Sequence, residues 1–307
     1  MSQPQSGVLP EPSQSTLFLI LRVRDPQQNA RSVAEVASRI PAFTQKTAKT
    51  DPRAKLVSVL GFGPEFWDAI SPGKRPAGFV VFRPLEAQGR RAPSTGGDLL
   101  VHIISRRPDL CFELAMQIRK ELGDSVEVMD EVHGFRYLDS RDLTGFIDGT
   151  ENPKGKKRAP LALIGSEDRA YAGGSFVFTQ RYVHDLQKWE GLAVREQEKI
   201  IGRRKRDSQE LSDRAKPPTA HISRAVIHED GEELEIVRHS FPYGTTSERG
   251  LFFIAYTKDL AIPHRMLGRM MGTSSDGFYD HLMDFSRAVS GANFFAPSLK
   301  VLRSLVS

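Results

Sequence analysis

The sequence predicts an α+β fold: two antiparallel sheets with peripheral helices, laid down as the same half twice over. Three observations carry this. Apolar runs of strand length alternate with helical periodicity along the whole chain. The runs at 98–105 and 250–257 each end in polar or basic residues, then Asp-Leu, then a helical pattern. They are offset by about 152 residues, and the first strands, near 16 and 175, by 159. Two similar offsets indicate duplication of a β-α-β-β-α-β half about 150 residues long. Antiparallel sheets with helices on one face follow from that order.

In chain order, residues 1–14 are polar and Pro-rich and read as a flexible arm. Residues 16–23 form an apolar strand that Asp25-Pro26 ends. Residues 27–39 carry helix formers, with Val33, Val36 and Ile40 on one face. A second strand, 55–63, leaves through glycines, and Phe66 and Trp67 follow in a short helical piece. Residues 71–97, broken by Pro and Gly, read as an irregular connection. The strand at 98–105 leads into a helix over 108–122, apolar at Leu110, Leu114, Ala115 and Ile118. Two short strands, 125–129 and 135–138, complete the first half, assigned to residues 15–150. The second half, 151–307, has a strand at 174–183, a helix over 184–200, and strands at 234–238 and 250–260. The last enters a helix running to about Met271. The two halves are expected to form one compact unit.

Composition excludes several classes. Hydrophobic residues make up 39% and charged ones 26% of the 307, ordinary for a globular protein. No run of eighteen apolar residues offers a membrane helix, and the N-terminus lacks the pattern of a secretory signal. Cys111 is the single cysteine, which rules out an internal disulfide or a Cys-based cluster. Cytoplasmic residence fits. The net charge is +5, with basic runs at 154–158 and 203–206. No aromatics are interleaved there for base stacking, so a nucleic-acid partner is set aside.

The chain is organised around Asp142-Leu143-Thr144-Gly145-Phe146-Ile147-Asp148-Gly149-Thr150-Glu151-Asn152-Pro153. Here an acid stands on a sharp turn with little bulk nearby, where backbone N–H groups can approach a flat or anionic ligand. Asp-Gly alone is a common turn dipeptide, but nine consecutive residues, from Gly145 to Pro153, resemble the GxxDGT signature of the dye-decolourising peroxidases. The longer form resembles that of the bacterial, YfeX-like branch. The resemblance extends to Ala172-Gly173-Gly174-Ser175, Ile201-Gly202-Arg203, Val237-Arg238-His239-Ser240 and Phe294-Phe295-Ala296-Pro297-Ser298.

This resemblance implies a duplicated ferredoxin-like fold, with one haem b per chain held in the C-terminal half. It implies a peroxidase that reduces hydrogen peroxide by heterolytic O–O cleavage and oxidises small aromatic reductants such as dyes, phenolics or porphyrinogens. His221 corresponds to the axial iron ligand, with His133 as runner-up. A ligating histidine needs its other nitrogen fixed; Asp280 ranks first for this and Asp284 second. Asp148 corresponds to the proton shuttle and Arg238 to the fixed cation, which can also pair with a propionate. Gly149, Thr150 and Asn152 are carried over from the signature as cofactor-binding residues. Ser240 shares a strand face with Arg238, whereas alternation turns His239 to the opposite one. Phe253 is expected as an apolar wall. Trp189, Tyr171 and Tyr243 are candidate surface aromatics for electron relay. A homo-oligomer is expected. The tail after Ser298 offers no support for docking into an encapsulin shell. Two other readings stay open: a haem or porphyrin carrier or sensor with incidental peroxidase activity, and a related domain without haem.

Overall fold

The computed structural model describes residues 2–305. Ten strands form the main sheet: β1 (Ser15–Val23), β2 (Val57–Phe62), β3 (Leu99–Ser105), β4 (Val126–Phe135), β5 (Ser175–His184), β6 (Val237–Arg238), β7 (Phe241–Gly244), β8 (Arg249–Thr257), β9 (Ser286–Ala288) and β10 (Ala292–Ala296). Their order is β6-β8-β7-β4-β1-β3-β2-β10-β5-β9, with a further pairing of β8 to β5. All these pairings are antiparallel. The extra pairing closes eight strands into a ring. The two sheets expected from sequence are therefore joined: β4-β1-β3-β2 meets β7-β8-β5-β10 through two single-residue pairs, Gly134 with Tyr243 and Phe62 with Phe295.

The apolar runs are nearly continuous because both strand faces are covered. On β1, Leu17, Leu19 and Leu21 belong to the core outside the ring, while Phe18 and Ile20 point into its interior. Helices α1 (Pro26–Ala48) and α2 (Pro108–Leu122) lie over the outer face. Helix α1 runs past the expected end at 39, through Pro41, because Ile40, Thr44 and Thr47 continue its buried stripe. Strand β4 replaces the two short strands expected. Its central Asp130 and Glu131 are polar but stay paired with β1, the register shifting by one residue between Asp130 and Val128, and Asp130 receives Arg181 Nε at 2.9 Å. The connection at 71–97 contains a small hairpin, Leu85–Ala87 with Arg90–Ala92.

The N-terminal segment is not the flexible arm expected. Gln5 Nε2 donates to the carbonyls of Leu60 at 2.7 Å and Pro297 at 3.0 Å, and Gln5 Oε1 accepts from Leu60 N at 2.8 Å. Val8 is buried in the ring interior. These contacts fasten the segment across β2 and the end of β10. Leu299–Ser304 close the described chain as a short helix. Among the described residues no helix is long and apolar enough to cross a membrane.

Candidate active site

The site lies on the outer face of the C-terminal ladder. Strands β5 and β8 turn Phe178, Gln180, Tyr182, His184, Leu251 and Phe253 towards a cavity of about 230 Å³. Its other walls come from the signature turn, from helix α3 (His221–Ala225) and from helix α4 (Ala261–Met271). Asp148, Gly149, Thr150, His221, Arg238 and Phe253 all line it.

Helix α3 has only five residues and stands because its neighbours hold it. Arg269 of α4 donates to Val226 O at 2.7 Å and Ser223 O at 2.8 Å, satisfying carbonyls at its C-terminal end. Arg224 forks onto Asp276 at 2.7 and 3.1 Å. Gly202 lies at φ +92°, and a Cβ there would come within 2.5 Å of Ile222 Cγ1. Only glycine lets the backbone at 202 pass this close to the turn that presents His221.

His221 Nδ1 lies 2.6 Å from Asp280 Oδ2. Asp280 is fully buried, and its other oxygen accepts Leu282 N at 2.9 Å. Burial alone would lower the His221 pKa, but the Asp280 charge and hydrogen bond outweigh it and raise the value. With Nδ1 engaged, Nε2 is the nitrogen left for the cavity. Asp284 does not compete; its carboxylate accepts from Tyr279 OH at 3.2 Å. His133, the runner-up ligand, is exposed beside Glu131 at 2.8 Å and does not line the cavity.

Asp148 and Arg238 meet at 3.7 Å, a loose contact that leaves both groups with free hydrogen-bonding capacity. Gly149 takes φ +75°, which turns the chain directly after the acid. Asn152 does not line this cavity. Its carboxamide clasps the backbone of Arg238, donating to the carbonyl at 2.8 Å and accepting from the N–H at 2.9 Å. That clasp ties the signature to β6. Ser240 lines a second cavity together with Arg238 and accepts from Ile254 N at 3.4 Å. His239 faces the other way, as alternation predicts. It is buried in contact with Arg158 Nη2 at 2.7 Å, and burial followed by the Arg158 charge lowers its pKa to about 3.

Two groups at the cavity wall were missed by sequence reasoning. Arg203 reaches Glu151 at 2.5 Å and Ser208 O at 2.8 Å; it belongs to the Ile201-Gly202-Arg203 match, which was a usable signal. His184 bridges Ser286 Oγ at 2.9 Å and Asp142 Oδ1 at 3.2 Å, and no local pattern marked it. Of the candidate surface aromatics, Trp189 and Tyr243 are buried, which corrects that reading. Trp189 Nε1 donates to Thr144 O at 2.9 Å and so braces the signature. Tyr243 OH donates to Tyr182 O at 3.1 Å, and the half-buried Tyr171 OH to Lys74 O.

An imidazole with one nitrogen fixed thus faces an apolar chamber whose wall also carries a carboxylate and a guanidinium. The sequence matches the N-terminal Dyp-type peroxidase family over residues 5–136 and the C-terminal one over residues 139–301. A dye-decolorizing peroxidase from Mycobacterium tuberculosis is 43% identical over 274 residues, covering 88% of this chain and 82% of that protein. The chain belongs to the Dyp-type peroxidase family. A variant of DypB from Rhodococcus jostii, solved in complex with heme, superposes with a TM-score of 0.95 at 43% identity, with 99% of each chain covered. A dye-decolorizing protein from Vibrio cholerae gives 0.92 at 42% identity, covering 98% of this chain and 99% of that one. For a Dyp-type peroxidase the chamber is the expected place of reaction, and its donor set suits a flat metal macrocycle. The set comprises the free ring nitrogen of His221, apolar walls from Phe253, Leu251 and Met270, and cations at Arg203 and Arg238.

Proposed function

We propose that this protein is a haem-dependent peroxidase with one haem b per chain. The observation that carries this is the His221–Asp280 pair at 2.6 Å on a chamber whose wall also holds Asp148 and Arg238, 3.7 Å apart. His221 Nε2 would hold the iron, and Phe253 and Leu251 would pack on the porphyrin. Arg203 and Arg238 offer charge to its propionates. When bound, the haem supplies the centre at which peroxide is cleaved and two oxidising equivalents are held.

The chain's own residues manage protons and charge. Asp148 accepts the proton from one oxygen of hydrogen peroxide and returns it to the other, which leaves as water. Arg238 offsets the negative charge that grows on the leaving oxygen with its guanidinium, while the Asn152 clasp fixes the backbone that carries it. Asp280 keeps the His221 ring in one orientation and tautomer and makes it a stronger donor. The reductants in this reading are small aromatics: dyes, phenolics or porphyrinogens.

The reading extends to fold and context. The strand orders β4-β1-β3-β2 and β7-β8-β5-β10 support a duplicated ferredoxin-like architecture, with halves near 15–150 and 151–307. The single, buried Cys111 supports cytoplasmic residence. Self-association through the outer strands β6 and β9 is part of the same proposal.

The test is a spectrum of the purified protein, followed by one after a single equivalent of peroxide. A Soret band that shifts with peroxide and is restored by a phenolic reductant is the expected result. Stoichiometric haem in His221→Ala with an unchanged spectrum would overturn the ligand assignment.

A further inference from the structure

A second cavity, of about 220 Å³, shares Asp148, Gly149 and Arg238 with the first. Its lining is strongly cationic. Arg136, Arg141, Lys154 and Arg238 stand against only two acids, Glu11 and Asp148. Asp148 and Arg238 offset one another, which leaves three cations and one acid at the outer part. Arg136 and Lys154 are exposed, and their side chains have no hydrogen-bond or ion-pair partner among the described residues. The Arg141 guanidinium is held only by carbonyls, those of Gly145 at 2.7 Å, Lys205 at 2.7 Å and Arg206 at 3.1 Å, so its charge is uncompensated. Hydrogen peroxide is neutral, and its passage gives no reason for such an excess. A positively charged, concave approach raises the local concentration of anions.

We propose that this vestibule is a subsite for small carboxylate anions, and that it presents carboxylate-bearing hydroperoxides to the catalytic pair. The carboxylate sits among Arg136, Arg141 and Lys154 while the peroxide end reaches Asp148 and Arg238. The hydroperoxide takes up two electrons and two protons as its O–O bond breaks, giving the alcohol and water. The aromatic reductant supplies the electrons in two single steps. The peroxide chemistry rests on the function proposed above; the anion binding does not.

Two measurements on the holoenzyme test this. In calorimetric titration with sodium acetate and no peroxide, the unmodified protein binds acetate. The Arg136→Gln/Lys154→Gln double variant binds about tenfold more weakly, and raising the salt shrinks the difference. In turnover, a short hydroperoxycarboxylate is compared with its uncharged methyl ester. The acid-to-ester ratio of kcat/KM is about 10 for the unmodified enzyme and falls towards 1 in the double variant. Absence of acetate binding, equal binding by both proteins, or a ratio the substitutions leave unchanged overturns the proposal. If neither peroxide is turned over by either protein, the peroxidase reading fails, and the calorimetry still decides the anion site.

Discussion

Removing the Asp280 carboxylate tests how the candidate ligand is held. His221 Nδ1 rests 2.6 Å from Asp280 Oδ2, and the side chain of Asp280 is fully buried. In Asp280→Ala, that nitrogen loses its acceptor, and an unmet buried hydrogen bond costs about 1–3 kcal/mol. Loss of the partner of a metal-bound histidine typically weakens metal affinity by about 10–100-fold, or about 1.4–2.7 kcal/mol. The two ranges agree, so haem should leave the variant about 10–100 times faster. Asp280 also accepts Leu282 N at 2.9 Å, so the alanine variant disturbs its own loop as well. Asp280→Asn keeps an acceptor and removes only the charge, and should fall between the two. Asp284→Ala, which loses only the Tyr279 contact at 3.2 Å, should match the unmodified protein. The assay is haem transfer to excess apomyoglobin, followed at the Soret band. Equal loss rates and unchanged spectra in both Asp280 variants would refute the idea that this carboxylate supports the ligand.

Four further outcomes are expected. Asp148→Asn and Arg238→Ala should each slow the peroxide step by about 10²–10³-fold with haem content preserved, as read by stopped-flow absorbance. Burial pushes the Asp142 carboxyl up, but the charge and hydrogen bond of His184, with the Thr144 bonds, bring it from 3.8 to about 2. Its folded value is below the unfolded one, so it stabilises above about pH 4. That contribution, about 2 kcal/mol, is lost as the pH falls towards 2. Denaturant midpoints at pH 5 and 2.5 should show the loss, and Asp142→Asn should reduce it. Gly202→Ala meets both positive φ and Ile222 at 2.5 Å, so the melting temperature and haem retention should fall together. Gln5→Ala removes the donor to Leu60 O and Pro297 O and should cost about 1–3 kcal/mol in chemical denaturation.

Much of this was legible in the sequence, and the exceptions have physical reasons. The long ring strands coincide with apolar runs, because strands covered on both faces need apolar residues at nearly every position. The pattern failed at β4, read as two short strands at 125–129 and 135–138, although the ladder continues between them past a register shift beside Asp130. Ring closure could not be read, because it depends on pairings such as Phe62 with Phe295 that no local pattern encodes. The site divides in the same way. The acid, the guanidinium and the imidazole came from contiguous motifs. The preference for Asp280 over Asp284 rested on resemblance, and the three-dimensional path of residues 280–284 is what separates them. The burial of Trp189 had no local signal, since an indole next to charged residues reads equally well as surface.

The hold of Gln5 on the carbonyl of Pro297 has a consequence for biosynthesis. Gln5 leaves the ribosome 292 residues before its partner does. Until residues 292–297 emerge, β2 lacks its β10 neighbour and Gln5 lacks its contact with Pro297. The β4-β1-β3-β2 ladder must therefore wait with a bare β2 edge while the residues between Phe135 and Ala292 are made, the condition under which nascent chains stick to one another. Slow translation of the second half should then raise the demand for chaperones, and a bulky fusion placed directly before residue 5 should lower the yield of folded product.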